Sequence, residues 1–260
     1  MWKIKEEDLD QFRVTCKSRL SPEGALGFMI GTIVYVSVMM FFLIGTLVTF
    51  GWDYYTTFFE KTIVRMELVL YSLQIIFLIL YSFSKARFKF QKLQTIVVLL
   101  YAFQLGTILF TALMLPGMSD YTIDGITLVY VGFLFIGAVI VHIVTTIDTF
   151  KQASEGAFSM NERSASFFSK TKGAMMKVAS IYALILLVLI YFHNDYTFDT
   201  LIGYVIGTIL LYTVAVGAAE FQLLVYCRFK FKSFNMTWEE NERMRGKTRK
   251  QNKKSKLKSK

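Results

Sequence analysis

Ionisable side chains inside long apolar runs are costly enough in a bilayer to count as functional candidates. This sequence places two there, His142 and Glu220. His142 lies nine positions before Lys151, and Glu220 lies eight before Arg228. At about 1.5 Å per helical residue, both fall roughly 12–14 Å from those basic anchors. Matched depth would allow a His–Glu contact that carries or senses protons, since imidazole titrates near neutrality. The alternative is that each side chain snorkels or hydrogen-bonds to a neighbouring helix, with Lys177 as an interfacial partner for Glu220.

Gln74 and Gln104 form a second matched set, eleven and twelve positions from Lys85 and Lys92. On adjacent antiparallel spans both fall near mid-membrane, where a side-chain amide pair acts as interhelical glue or lines a polar path. Arg65 and Glu67, in the first turn of the second span, read as outer-interface residues. A third pattern is a repeated word: Gly27-Phe-Met-Ile-Gly31-Thr-Ile and Gly203-Tyr-Val-Ile-Gly207-Thr-Ile agree at five positions in seven. Each contains GxxxG, which lets helices approach closely. Gly27, Gly31, Gly203 and Gly207 are therefore expected to be helix-packing glycines.

Beyond these the sequence is poor in chemistry. It has no Walker A loop and no GxSxG elbow, and with two histidines in all it has no HExxH pattern. No nucleophile sits near His142 or Glu220 in sequence, so no catalytic residue, metal site or cofactor is expected. Cys16 and Cys227 both map to the basic side, where a cytoplasmic location would keep them reduced.

The elements that must position these residues follow from hydropathy. The chain of 260 residues is 54% hydrophobic with a mean hydropathy of +0.46, too apolar for an ordinary soluble domain. Six stretches, at about 25–50, 62–83, 95–115, 123–147, 174–192 and 201–226, are each about long enough to cross a bilayer. Of the 29 Lys and Arg residues, 27 fall in every second polar segment, and the intervening segments hold only Lys61 and Arg65. Positive-inside bias of this kind puts both termini in the cytoplasm. The expected fold is an all-α integral membrane protein with six transmembrane helices, N-in and C-in.

Three regions result. Residues 1–24 form a cytoplasmic arm, in which Leu9, Phe12, Cys16 and Leu20 recur at helical spacing, as in an amphipathic helix lying on the inner leaflet. Residues 25–227 form the transmembrane domain, and 228–260 a basic cytoplasmic tail whose Lys-rich end reads as disordered. Within the polar segment 149–173, Ser159 and Glu162 match a capping box that would start a short helix carrying Phe167 and Phe168. A basic face beside a bilayer is expected to attract anionic inner-leaflet lipids rather than nucleic acid.

The layout of amphipathic N-terminal segment, six spans and both ends inside is similar to that of the ABC-2 class of exporter permeases, in topology alone. The resemblance implies an ATPase subunit as partner. The absence of any motif for catalysis favours a non-enzymatic membrane subunit or accessory factor of a transport, secretion or envelope complex. A permease, either an exporter half or a small proton-coupled carrier using His142 and Glu220, is the alternative. Abundant Lys, Phe, Ile and Tyr with only two prolines leans toward a bacterial plasma membrane.

Overall fold

The computed structural model describes residues 3–115, 125–159, 170–193 and 198–243. Among these residues every regular element is helical: α1 (Asp10–Lys17), α2 (Pro22–Phe50), α3 (Phe58–Ser82), α4 (Ser84–Lys89), α5 (Gln91–Met114), α6 (Gly125–Ser154), α7 (Lys170–His193) and α8 (Phe198–Lys230), with short 3-10 turns between them. Six of these, all except α1 and α4, are long and apolar enough to cross a membrane.

Local chemistry sets the helix ends. Ser21 caps α2 by accepting a hydrogen bond from the Gly24 amide, and Pro22 occupies the first helical position, where no amide hydrogen is needed. Gly51, at φ +73°, ends it. Thr57 and Glu60 form a reciprocal capping box that starts α3 a turn before its apolar run. At the basic end α5, α6 and α8 likewise outrun their apolar stretches, beginning at Gln91 and ending at Ser154 and Lys230. Hydropathy marks where lipid requires apolar side chains, whereas a helix continues for as long as its polar residues find partners.

The bundle is two halves joined along one seam. Helices α2, α3 and α5 share two apolar cores, one around Met29, Val98 and Tyr101 and one around Met40, Val64 and Ile108. Helices α6, α7 and α8 share another around Leu134, Ala183 and Tyr212. The halves meet where α5 packs along α8. At Gly106 of α5 an added Cβ would lie 3.4 Å from the Leu211 Cα, and Gly203 and Gly207 of α8 receive Leu113 and Phe110 at 3.1 and 3.2 Å by the same measure. Over its most apolar window α5 is 56% buried, against 17% for α3. Outward faces carry exposed Val34, Phe41, Ile76, Ile140 and Leu184, an apolar mantle that needs lipid rather than water around it.

The two GxxxG words therefore part ways. Gly203 and Gly207 pack against α5, but nothing lies within 4 Å of a Cβ at Gly27 or Gly31. The buried side of α2 is Ala25, Met29, Val36, Met40 and Leu43. Gly27 and Gly31 sit two positions from Met29, about 200° around the helix, on the exposed face. Within the chain, then, the later word packs against a neighbouring helix and the earlier one does not.

The arm also differs from expectation. Its apolar stripe does not lie on a leaflet: Leu9, Phe12, Cys16 and Leu20 are buried against Ala153, Phe158, Leu223, Cys227 and Phe234 of the bundle's own end. The amide of Gln11 bonds to the Phe158 carbonyl at 2.9 Å. The first part of the supposed tail is folded too. Arg228 belongs to α8 and is buried, Phe234 and Met236 are buried, and Trp238 packs edge-on to Phe88. The Glu162 capping box with Phe167 and Phe168, and the Lys-rich end from residue 244, lie outside the described residues.

Two outcomes follow. Gly207→Leu forces a side chain into the Phe110 ring and is expected to cost about 1–3 kcal/mol, whereas Gly31→Leu points into open space and should stay within about 0.5 kcal/mol of the parent; thermal unfolding in detergent measures both. Burial pushes the Cys16 thiol well up from its ordinary range, so its reactive thiolate is suppressed at neutral pH. Maleimide should label Cys16 and the equally buried Cys227 only as the protein unfolds, and rapid labelling of the folded chain would contradict this packing.

Candidate functional site

Depth matching brought together residues that the helices keep apart. The Nδ1 of His142, on α6, pairs at 2.8 Å with the Ala215 carbonyl of α8, and Nε2 accepts from the Gln222 carboxamide at 2.9 Å. Gln222 is itself held by the Thr146 hydroxyl at 2.9 Å, and Phe103 meets the imidazole edge-on. Both ring nitrogens are thus engaged by neutral groups. Glu220 forms an ion pair with Arg19 at 2.6 Å; its partner is neither His142 nor Lys177. The reason is azimuth: Glu220 stands two positions from Gln222, about 200° around α8, so it leaves the opposite side of the helix. The expected His142–Glu220 proton pair is not assembled.

Gln74 and Gln104 do not pair either. Gln104 donates to Glu67 at 2.7 Å, and the Thr111 hydroxyl donates to the other carboxylate oxygen at 2.9 Å. Glu67, expected at the outer interface, is 6% exposed. The Gln74 carboxamide is buried without a hydrogen-bond partner among the described residues, while its backbone carbonyl accepts from the Tyr101 hydroxyl. Glu67 could have been found in the sequence: Glu67, Tyr71 and Gln74 recur at i, i+4 and i+7, the spacing of one helix face. Tyr71 completes the face by meeting the Ser37 hydroxyl at 2.8 Å.

These contacts belong to a longer feature. Along α5, Gln91, Gln94, Thr95, Tyr101, Gln104 and Thr111 are all buried. The stripe runs over 21 residues, Gln91 to Thr111, or about 30 Å, roughly the thickness of a bilayer's hydrocarbon core. At its basic end Gln94 donates to the Pro22 carbonyl at 3.0 Å. Arg228, 1% exposed, reaches across from α8 to donate to the Gln91 carbonyl, the Thr95 hydroxyl and the Leu20 carbonyl.

Around Arg228 the arm, the α4 turn and the segment after α8 interlock. Gln91 makes two bonds to the Met236 backbone, at 3.1 and 3.0 Å. Lys17 pairs with Glu240 at 2.7 Å, Asn241 donates to Glu23 at 3.1 Å, and Arg87 donates to the Tyr81 carbonyl at 2.9 Å. Burial pushes the Tyr55 phenol up at the opposite end, where it lies between α2 and α3.

These contacts build interfaces between helices. Among the described residues no group of three or more His, Cys, Asp and Glu side chains is placed to hold a metal. No family model matches the chain, and neither a curated protein nor a solved structure matches it.

Glu67 has two neutral donors and, among the described residues, no paired cation, so hydrogen-bond geometry should dominate its contribution. Glu67→Ala leaves Gln104 and Thr111 unpaired around a cavity and is expected to cost roughly 2–4 kcal/mol. Glu67→Gln keeps the shape, and Gln104 can turn its carboxamide to suit, so its cost should stay below about 1.5 kcal/mol. Thermal unfolding of both variants decides; equal losses would mean that the carboxylate charge itself is required.

Proposed function

We propose that this chain is a multi-pass cell-membrane protein, with both termini in the cytoplasm, that acts as a non-enzymatic membrane subunit or accessory factor. The concentration of basic residues on the end where arm and tail meet supports that orientation. The observation that carries the reading is the folded cap on that end. The arm, the α4 turn and residues 231–241 lock onto the ends of α5, α6 and α8 through Phe12, Phe234, Gln91 and Arg228. This is a shaped protein surface, studded with charge, of the kind a partner can read.

The same geometry speaks against a proton-coupled carrier built on His142 and Glu220, since each is held by a different partner. It also bears on the exporter-half reading. An ATPase would grip either the 149–173 segment or the turn at Phe88, and Phe88 is buried beneath Trp238, which leaves the 149–173 segment or the cap as the docking surface.

Purification of the tagged chain from its own membrane in mild detergent, followed by mass spectrometry, tests the proposal. Full-length protein and a chain ending at residue 243 are expected to bring down the same partner, with Phe12→Ala/Trp238→Ala losing it while remaining in the membrane. His142→Ala should retain the partner. An ATPase at near-equal stoichiometry would replace the accessory reading with an exporter half, and a chain that purifies alone would overturn both.

A further inference from the structure

Helices α2 and α8 both pack on α5 rather than along each other, and a laterally open groove remains between them at the basic end. It is lined by Ala25 and Phe28 of α2, Gly217 and Phe221 of α8, and at its mouth by Arg19 and Glu220. Its volume of about 340 Å³ falls in the range of small-ligand clefts. The floor is apolar, with Phe28 and Phe221 in ring contact at 6.0 Å, and the mouth is charged. That sequence of surfaces, charge then hydrocarbon along the bilayer normal, is the profile of a lipid.

The charges specify which lipid. Arg19 stands just before α2 begins at Pro22, at the level where the apolar run gives way to polar chain. Its side chain is 68% exposed, against 13% for Glu220. Only one of the five guanidinium N–H groups is drawn to Glu220, so the others face outward at headgroup depth, suited to a phosphate. Glu220 keeps a second carboxylate oxygen able to accept from an ammonium. Buried Lys172 is a further electrostatic neighbour of Glu220. A headgroup that carries both a phosphate and an ammonium matches the Arg19–Glu220 pair charge for charge.

We propose that the α2–α8 groove is a binding site for a zwitterionic phospholipid with a primary ammonium, of the phosphatidylethanolamine type. Arg19 holds the phosphate, Glu220 accepts from the ammonium, and an acyl chain lies over Phe28 and Phe221. Two glycines open the site. A Cβ on Gly24 would collide with the Arg19 carbonyl at 2.2 Å, so glycine there lets the arm close down and deliver Arg19 to the mouth; a Cβ on Gly217 would meet nothing within 4 Å, leaving the floor clear. The site does not depend on the identity of any protein partner.

Native mass spectrometry of the full chain tests this. Detergent-solubilised protein is offered equal amounts of dioleoyl phosphatidylethanolamine, phosphatidylcholine and phosphatidylglycerol. A single phosphatidylethanolamine adduct should be retained about tenfold over phosphatidylcholine, whose quaternary head cannot donate to Glu220, the discrimination expected of one charge-assisted hydrogen bond. Glu220→Gln should erase that preference, Arg19→Gln should weaken retention of every lipid, and Gly217→Leu should block the groove without removing a contact. Thermal unfolding confirms that each variant is folded. Equal retention of the three lipids, a preference for phosphatidylglycerol, or Gly217→Leu binding as the parent does would overturn the proposal, and an Arg19→Gln or Glu220→Gln that unfolds leaves Gly217→Leu as the deciding variant.

Discussion

A polar side chain in the hydrocarbon layer has no water to turn to, and α5 carries a line of them from one face of the membrane to the other. That constraint organises the bundle. Gln91, Gln94, Thr95, Tyr101, Gln104 and Thr111 must all face protein, so α5 is the most enclosed of the crossing helices. What surrounds it is what satisfies it: α3 brings Glu67 and the Gln74 carbonyl, the start of α2 brings the Pro22 carbonyl, and α8 brings Arg228. The apolar cores fill the space between these contacts. With lipid as apolar as leucine, burying hydrocarbon gives little reason for one helix to choose a particular neighbour, so polar contacts and close glycine packing make the choice.

Close packing is the second half of that choice, and it is concentrated where α8 crosses α5. Gly106, Gly203 and Gly207 let the two backbones approach until Leu211, Phe110 and Leu113 fill the remaining gap. On the other flank of α8, Gly137 of α6 makes room for the Tyr182 and Tyr212 rings, and both hydroxyls donate to α6 carbonyls, those of Phe133 and Leu134. Helix α8 is thus fixed on both sides before any loop is considered. Arg228 follows from this placement, since it is α8's position against α5 that carries a guanidinium to the Gln91 and Thr95 acceptors.

The number of the crossing helices was legible in the sequence because hydropathy is a one-dimensional property, read along the chain. Who meets whom was not, because that depends on rotation about each helix axis. His142 and Glu220 share a depth and leave α6 and α8 on different sides. Gln74 and Gln104 share a depth too, yet Glu67, a residue two turns from Gln74, takes the amide. The similar words around Gly27 and Gly203 face outward and against α5 respectively, a difference set by neighbours rather than by the word. The arm shows the same limit. An apolar stripe on a short helix says that something covers it, and a leaflet and a protein surface are equivalent until the elements after α6 and α8 are in place. Charge composition likewise marked residues from 228 onward as tail, although Arg228 is among the most enclosed side chains in the molecule.

Arginines at the basic end therefore fall into two kinds, and the cost of burial separates them. Enclosing a guanidinium costs several kcal/mol unless its N–H groups are met. Arg228 is enclosed and meets three oxygens, two from α5 and one from the arm, which makes it a structural tie whose loss would free α5 and the arm together. Arg87 is of the same kind, tied to the carbonyls of Tyr81 and Ser82. Arg19 is not enclosed, and an ion pair as exposed as its contact with Glu220 contributes little to stability. A charge that the fold neither buries nor needs, set at the mouth of an apolar groove, is available to something outside the chain. The fold accounts for Glu220, which is 13% exposed, and leaves the Arg19 side chain 68% exposed.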